Sequence, residues 1–187
     1  MSERNLVLTG PPGAGKGTQA ARLATRLGIP QISTGAILRE EKAAGSELGQ
    51  RVASLMASGE LVPDSIVIDI VRQRIARADC KAGFILDGFP RTAAQAKALD
   101  RLLEEQGRDP LMVVALEVPE QELVRRILSR GEGRADDNEE SVKRRLEVYR
   151  SETAPILKHY ADSLLRIDGV GEMDEVESWI AGALGVA

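Results

Sequence analysis

The sequence predicts an α/β fold, organised as a doubly wound parallel sheet of five strands. Short apolar runs alternate along the chain with segments whose apolar residues recur every three or four positions, a pattern typical of strands alternating with helices. Residues 111–116 are apolar throughout, as expected for a central strand covered on both faces. A glycine-rich loop at residues 10–18 joins the first strand to the first helix. In such a sheet, ligands bind at the carboxyl ends of the strands.

The elements of the first third follow in order. Residues 6–8 predict the first strand, and the helix after the loop has an apolar stripe of Ala20, Leu23, Ala24 and Leu27. Gly28 and Pro30 end this helix, and residues 31–33 predict a short second strand. Residues 33–62 hold two short helical patterns with few large apolar residues. We therefore expect a small mobile flap that lies on the core rather than inside it.

The remaining elements continue the alternation. A helix opening at Pro63-Asp64 precedes the third strand at residues 83–87, and Thr92 begins the next helix. After the strand 111–116 and another helix, residues 129–138 break the pattern with two glycines and no large apolar residue, which predicts a short exposed loop. The following helix is expected to kink at Pro155. Residues 164–167 predict the fifth strand. Three side chains are expected to pack the closing helix on the core: Val176, Trp179 and Ile180.

Composition limits the classes of function. The chain has 187 residues, 43% hydrophobic and 29% charged, which fits one soluble domain over residues 1–187. Without a membrane-length apolar run or a signal-peptide profile, a cytoplasmic location is expected. The single cysteine, Cys80, excludes an internal disulfide and a cysteine-cluster zinc site. A net charge of -4 and 3% aromatic residues argue against a nucleic-acid partner.

The glycine-rich loop carries the strongest functional signal. It fits the spacing G-x-x-x-x-G-K from Gly10 to Lys16, between a strand and a helix. Backbone N–H groups of such a loop and the positive end of the helix dipole bind phosphate, and Lys16 would reach the outer phosphates. The usual Ser or Thr ligand of Mg²⁺ is replaced by Gly17, with Thr18 one place later. A bound Mg²⁺ is therefore expected to rely on waters and substrate phosphates. The alternative, a simple turn, does not require a lysine at this offset.

Charged residues in the other loops extend this prediction. Asp87 ends a buried strand beside the loop, where a Mg²⁺ shell is usually anchored, although a plain turn residue is the alternative. Six arginines lie in or beside the loops and the flap: Arg39, Arg91, Arg126, Arg130, Arg134 and Arg145. Each alone fits a solvated surface charge, but beside a phosphate loop the set indicates phosphoryl transfer by positioning and electrostatics.

Several segments together resemble the adenylate kinase family, over nearly the whole chain. They are G-P-P-G-A-G-K-G-T, I-S-T-G-A-I-L-R, S-G-E-L-V-P-D, G-F-I-L-D-G-F-P-R-T-A-A-Q and G-R-A-D-D-N-E-E-S-V-K-R-R-L. The resemblance implies a P-loop nucleoside triphosphate hydrolase fold with a nucleoside-monophosphate flap at 33–62 and a short lid at 129–138. It also implies Mg²⁺-dependent transfer from ATP to AMP giving two ADP, in nucleotide biosynthesis, by a monomer.

The resemblance also implies roles for residues of this chain. The ATP-binding set is Gly13, Ala14, Gly15, Lys16, Gly17, Thr18, Arg126, Arg130 and Gly171. The AMP-binding set is Thr34, Arg39, Glu60, Leu61, Val62, Gly88, Phe89, Pro90, Arg91, Gln95, Arg134 and Arg145. The catalytic set is Lys16, Arg91, Arg130, Arg134 and Arg145, with Asp87 holding Mg²⁺ through water.

Three features depart from the family pattern or allow another interpretation. Ala36 replaces an acid at the start of a flap helix, which affects capping. The 129–138 loop is short and has no room for a zinc-bearing insertion, so no zinc is expected, and the reach of its two arginines to phosphate is open. Thr92-x-x-Gln95 also fits a capping box, so Gln95 either reads adenine or caps a helix.

Two other functions compete. A kinase of UMP or CMP would share the fold, but Thr34 and Gln95 favour adenine. A nucleotide-operated switch would use the loose D-x-x-G match at residues 168–171, but the chain has no N-K-x-D motif for guanine.

Overall fold

A computed structural model describes residues 3–129 and 139–186 and confirms the predicted α/β class. Its five-stranded sheet has the order β2-β3-β1-β4-β5, with all neighbouring strands parallel. The strands are β1 (Arg4–Thr9), β2 (Gln31–Ser33), β3 (Gly83–Asp87), β4 (Leu111–Glu117) and β5 (Leu164–Asp168). The described helices flank this sheet.

The α-helices follow the predicted alternation. They are α1 (Lys16–Leu27), α2 (Thr34–Ala43), α3 (Glu47–Ser58), α4 (Asp64–Ile75), α5 (Ala93–Glu105), α6 (Glu120–Ser129), α7 (Glu139–Val148), α8 (Ile156–His159) and α9 (Met173–Ala183). Short 3₁₀ turns lie at Ala78–Cys80 and Ala161–Ser163, and a π-helical segment at Tyr149–Thr153. Among the described residues, none of the helices combines the length and apolarity that a membrane crossing needs.

Burial on both faces explains the doubly wound arrangement. In β1, Val7 belongs to one buried cluster, and Leu6 and Leu8 belong to the cluster on the opposite side. This follows from the two-residue period of a strand, which points successive side chains to opposite faces. One cluster includes residues of α2 to α5 and α8, and the other includes residues of α1, α6, α7 and α9.

The register of the sheet brings three strand ends together. Leu8 of β1 and Ser33 of β2 both pair with Asp87 of β3. Because these strands are parallel, the loops that follow them emerge at the same edge of the sheet. The glycine-rich loop, the start of α2 and residues 88–92 are therefore neighbours.

The hairpin formed by α2 and α3 has more apolar anchorage than the sequence suggested. Leu38, Val52 and Val62 are all less than 10% exposed and belong to the same cluster as β3 and α5. At Gly49 the two helices approach so closely that a Cβ would lie 2.2 Å from the carbonyl oxygen of Glu41. The hairpin thus joins the core through a few well-buried side chains.

Two details of the last third differ from the sequence prediction. Trp179 is 43% exposed, so its expected packing on the core is wrong, whereas Val176 and Ile180 are buried as predicted. The buried residues of α9 are Val176, Glu177, Ile180 and Ala181, and Trp179 lies at the edge of this face, on the side away from Ala181. Before Pro155, the chain changes from α7 to the π-helical segment rather than continuing as one kinked helix. A proline lacks the N–H that a continuous helix needs at this position.

Candidate active site

The glycine-rich loop leads directly into the first turn of α1. Gly13 and Gly15 have φ values of 87° and 89°, which side-chain-bearing residues rarely adopt. Gly15 precedes the helix and provides no side-chain cap for its first N–H groups. These N–H groups and the positive end of the helix dipole suit an anion.

The ammonium group of Lys16 lies over this loop. Its Nζ donates hydrogen bonds to the carbonyl oxygens of Gly10 at 2.8 Å and Pro11 at 2.9 Å. Gly10, Lys16 and part of the loop line a single cavity with Arg145. A phosphate group in this cavity would therefore meet a cation that the loop already holds in place.

Asp87 lies beside the first turn of α1. Its side chain is at the carboxyl end of β3, and the residue is 9% exposed. A Cβ placed on Gly17 would lie 3.4 Å from Asp87 Oδ2, so the carboxylate closely approaches the loop. Within the described ranges, no group of three or more His, Cys, Asp or Glu side chains is arranged to hold a metal. One carboxylate beside a phosphate loop fits an Mg²⁺ ion that keeps waters and phosphate oxygens as its other ligands.

The loop after β3 has a tightly defined backbone. Gly88 has a φ of 81°, and the peptide bond between Phe89 and Pro90 is cis. Arg91 Nε donates to the carbonyl oxygen of Gly88 at 2.7 Å, and a Cβ on Gly88 would lie 2.8 Å from Arg91 Nη2. The backbone angle therefore favours glycine here, and a side chain would also displace the Arg91 guanidinium group.

Three arginines converge on the glycine-rich loop. Arg39, Arg91 and Arg145 line one cavity of about 1110 Å³ with Lys16 and Asp87. Arg91 is accessible to solvent, but protein atoms of the cleft surround its guanidinium group. The resulting loss of hydration lowers the pKa of Arg91. The charges of Arg145 and Arg39 lower the pKa of Arg91 further, and Asp87 opposes them. A cleft with this excess of positive charge attracts anionic ligands.

A second cavity, of about 730 Å³, lies under the α2–α3 hairpin. Its lining includes Thr34, Arg39, Glu60, Leu61, Val62, Gly88, Arg91, Gln95 and Arg145. Phe89 and Pro90 line an adjoining cavity of about 560 Å³ instead. Of the residues expected to bind AMP, all except Arg134 thus surround one connected region, and Arg134 lies outside the described residues.

Hydrogen bonds fix the two side chains expected to recognise the base. Thr34 Oγ1 donates to the carbonyl oxygen of Gly88 at 3.1 Å. Gln95 N donates to Thr92 Oγ1 at 3.1 Å, the first half of the predicted capping box. The second half differs, because Gln95 Oε1 accepts from Arg91 N at 2.7 Å rather than from Thr92 N. Gln95 Nε2 donates to Asp64 Oδ1 at 2.7 Å.

A fourth cavity, of about 820 Å³, lies on the other side of the glycine-rich loop. Its lining includes Gly13, Ala14, Gly15, Thr18, Arg126 and Gly171. Arg126 Nη1 donates to the carbonyl oxygen of Gly169 at 3.0 Å, and Gln19 Nε2 donates to that of Met173 at 3.0 Å. These two bonds hold the segment 169–173 against α6 and α1.

Arg130, Arg134 and nearly all of the expected lid lie outside the described residues. At Ala36, the hairpin compensates for the missing acid, since Ser33 Oγ accepts from Ala36 N at 3.4 Å and caps α2. The sequence analysis did not assign Asp64, Gln19 or Glu122 to the functional site. Asp64 lies in a segment that carries the family resemblance, but its partners are distant in sequence.

Comparison with known proteins decides the family. A family model described as adenylate kinase matches residues 8–164. The chain belongs to the adenylate kinase family. An adenylate kinase of Thermus thermophilus is 54% identical over 185 residues, which cover 97% of each chain. Adenylate kinases of Maricaulis maris and Stenotrophomonas maltophilia are 50% and 51% identical, each over 96% of this chain and 98% of theirs.

Membership of the adenylate kinase family disfavours the switch interpretation of residues 168–171. In the structure, Asp168 Oδ1 accepts from Val170 N at 2.8 Å, and both residues are exposed. This is a local turn in which an aspartate bonds the backbone two residues on. The D-x-x-G match therefore has a structural explanation that requires no nucleotide.

Proposed function

We propose that the chain transfers the γ-phosphoryl group of ATP to AMP, giving two ADP, through the residues gathered at the carboxyl edge of the sheet. This proposal rests on the cationic cleft of about 1110 Å³, which lies between the 730 Å³ cavity and the 820 Å³ cavity. The cleft is lined by Lys16, Arg39, Arg91 and Arg145. A phosphoryl group moving between two bound phosphates needs such a cleft. Little covalent chemistry is required of the protein, and positioning with charge stabilisation supplies the catalysis.

The ATP end is proposed to lie around the glycine-rich loop. Residues 13–18 bind the phosphates through backbone N–H groups, and Lys16 neutralises the outer ones. Arg126 and Gly171, which share the 820 Å³ cavity, lie against the base. Arg130 joins them from the 129–138 segment.

The AMP end is proposed to be the cavity under the α2–α3 hairpin. Thr34, Gln95 and the backbone of residues 60–62 hold the base and ribose, and residues 88–90 shape the floor. Arg39, Arg91 and Arg145 bind the phosphate, with Arg134 from the 129–138 segment. A guanidinium group suits this role because its fork of N–H donors matches phosphate oxygens and stays charged.

Transfer is proposed to be direct and in line, without a phosphorylated enzyme. Lys16, Arg91 and Arg145 stabilise the charge of the transferring group. Asp87 holds the water shell of Mg²⁺, an ion that supplies neutralisation of the ATP phosphates when bound. Residues 33–62 act as a flap that closes over AMP and excludes water, and residues 129–138 act as a short lid within the same domain.

The wider setting follows from this activity. The substrates are ATP, AMP and ADP, and the reaction serves nucleotide biosynthesis. We expect a cytoplasmic monomer without nucleic-acid or membrane partners, in agreement with the acidic composition.

The first test measures ADP formation from Mg·ATP with AMP, UMP, CMP and GMP as separate acceptors. AMP is expected to give the highest kcat/KM. Lys16→Ala is expected to lower kcat by about 10²–10³, the effect of removing one preorganised charge or donor from a transition state. Gln95→Ala is expected to reduce the preference for AMP, because its amide no longer discriminates between bases.

Two outcomes would contradict the proposal. A higher kcat/KM for UMP or CMP would retain the phosphoryl chemistry and reject the acceptor. Tight ATP binding without transfer to any monophosphate would reject the activity itself. Arg72→Ala is a suitable control, because Arg72 is exposed on α4 and pairs only locally with Asp69 at 2.8 Å.

A further inference from the structure

The side-chain amide of Gln95 is held at both ends by groups of opposite hydrogen-bonding character. Gln95 is 2% exposed and lines the 730 Å³ cavity. The N–H of Arg91 donates to Oε1, and the carboxylate of Asp64 accepts from Nε2, both at 2.7 Å. Asp64 is the first residue of α4, and it is not among the residues that line this cavity.

We propose that Asp64 is a positioning residue that fixes the orientation of the Gln95 amide and so selects the base of the phosphoryl acceptor. This inference rests on the proposed function of the cavity as the AMP site. Asp64 acts through Gln95 and needs no contact with the nucleotide.

The two partners permit only one orientation of the amide. A rotation of 180° would place Nε2 against the N–H of Arg91, which brings two donors together. The same rotation would place Oε1 against the Asp64 carboxylate, which brings two acceptors together. Both hydrogen bonds would be lost in a buried position, where unpaired polar groups are strongly disfavoured.

A ring of hydrogen bonds holds Asp64 in turn. Asp64 Oδ2 accepts from Thr92 Oγ1 at 2.9 Å, and Thr92 Oγ1 accepts from Gln95 N at 3.1 Å. The ring joins the beginning of α4 to the beginning of α5. An ionised carboxylate only accepts hydrogen bonds, so Asp64 cannot exchange its role as a neutral amide would.

The fixed amide still has one Nε2 hydrogen and one Oε1 lone pair for a ligand. Adenine complements these groups, because its N1 accepts and its 6-amino group donates. Hypoxanthine has the inverse edge, with N1–H donating and O6 accepting. Inosine monophosphate is therefore a probe of nearly the same shape as AMP that requires the opposite amide orientation.

The test compares kcat/KM for AMP and inosine monophosphate, with Mg·ATP as donor. In Asp64→Ala the amide is free to turn, so the AMP-to-inosine-monophosphate ratio is expected to fall at least about tenfold from the wild-type ratio. Asp64→Asn should retain more of the ratio. Its Oδ1 still accepts from Gln95, and the Thr92 hydroxyl can turn to accept from the new amide.

The matched control is Asp69→Ala, which removes another carboxylate from the same helix. Asp69 has a side chain 59% exposed and pairs with Arg72 on the outer surface. Its ratio is expected to equal that of the wild type. If Asp64→Ala proves unfolded by circular dichroism, Asp64→Ser replaces it, because a serine retains a polar group at the helix start but is too short to hold Gln95.

Several outcomes separate the inference from the proposed function. An equal loss of kcat/KM for both acceptors in Asp64→Ala, with the ratio unchanged, would make Asp64 merely structural and overturn the inference. If the wild type phosphorylates neither acceptor, the proposed function fails. Calorimetric binding of AMP and inosine monophosphate then still tests whether Asp64 sets the preference.

Discussion

Arg126, which lines the 820 Å³ cavity, is held by two contacts. Its Nε donates to Glu122 at 2.7 Å, and its Nη1 donates to the carbonyl oxygen of Gly169 at 3.0 Å. Arg125 also donates to Glu122, through Nε at 2.8 Å and Nη2 at 2.7 Å. Hydrogen bonds from Arg125 and then Arg126 lower the pKa of Glu122 to about 2. Glu122 is therefore ionised at neutral pH and holds Arg126 as a charged partner.

The ionisation of Glu122 can be measured directly. A depressed pKa means that the pairing is complete above the ordinary pKa of 4.5 and is lost as the pH falls toward 2. At about pH 3.5 an ordinary glutamate is largely protonated, so a carboxylate chemical shift for Glu122 in carbon-13 NMR is the expected result. Arg125→Gln should raise the pKa of Glu122. A protonated Glu122 in the wild type at that pH would reject the pairing.

At the scale of residues, the sequence indicated the positions of side chains for which the signal is local. Lys16 is placed by the loop spacing, and Asp87 by the end of an apolar strand, and the structure brings both to one cavity. Asp64 was missed because its hydrogen-bond partners lie 28 and 31 residues away and meet it only when α4 packs against α5. The spacing of these residues in the sequence does not indicate that α4 and α5 pack together.

At the scale of elements, the α2–α3 hairpin depends on one close approach. Gly49 lies in the first turn of α3, where Ser46 Oγ accepts from its N–H at 3.0 Å. A Cβ at this position would lie 2.2 Å from the oxygen and 2.4 Å from the carbonyl carbon of Glu41. The obstacle is backbone, so a side chain cannot simply turn aside.

We predict that Gly49→Ala destabilises the protein by about 1–3 kcal/mol, because overpacking forces α2 and α3 apart. Since Thr34, Arg39 and residues 60–62 surround the proposed AMP site, the KM for AMP should rise more than the KM for ATP. Chemical unfolding and steady-state kinetics measure the two effects.

Gly182→Ala provides the matched control for this prediction. Gly182 lies within α9, and a Cβ added there would meet no atom within 4 Å. The same substitution should therefore stabilise the protein by about 0.4–1 kcal/mol, through helix propensity and a less flexible unfolded chain. Equal stability changes in the two variants would show that the α2–α3 approach is unimportant.

Periodicity located helices and strands correctly where the apolar residues of an element form one surface that packs on a buried cluster. The helix after the glycine-rich loop and the strand ending at Asp87 have the predicted positions. Trp179 was expected on the core together with Val176 and Ile180, but it is 43% exposed, and its ring lies near Gly171. Large apolar residues are often partly exposed, so size alone does not define a buried face.

At the scale of the whole molecule, the alternation of strands and helices predicted the fold class but not the strand order. That order depends on which crossover passes over which face, and it places β1 between β3 and β4. The segment from Tyr149 to Tyr160 contributes buried side chains, and Ile156 and Tyr160 belong to the core cluster that includes residues of β4 and α5. Tyr160 is 7% exposed, and its hydroxyl donates to the carbonyl oxygen of Ala96 at 3.2 Å and to Asp100 at 3.0 Å.

Both tyrosines of the chain are therefore linked to global unfolding. Burial raises the pKa of Tyr160 and of Tyr149, with Asp100 acting in the same direction on Tyr160 and Glu117 on Tyr149. A raised pKa in the folded state means that the associated stability is present below the unfolded value near 10 and is lost as the pH rises above it. Each tyrosine can lower the free energy of unfolding by up to about 1.4 kcal/mol per pH unit.

We predict that the urea midpoint falls more steeply between about pH 10 and pH 11 than between pH 8 and pH 9. Absorbance at 295 nm should detect tyrosinate in the urea-unfolded chain in this range and little in the folded protein. Lysines also titrate here, so Tyr160→Phe is the control that isolates the phenol, and it should flatten the fall in stability. Ordinary ionisation of both tyrosines near pH 10 in the folded state would contradict the linkage. It would also mean that the Tyr149–Tyr160 segment opens independently of the sheet, because burial against the sheet is what keeps these hydroxyl groups neutral.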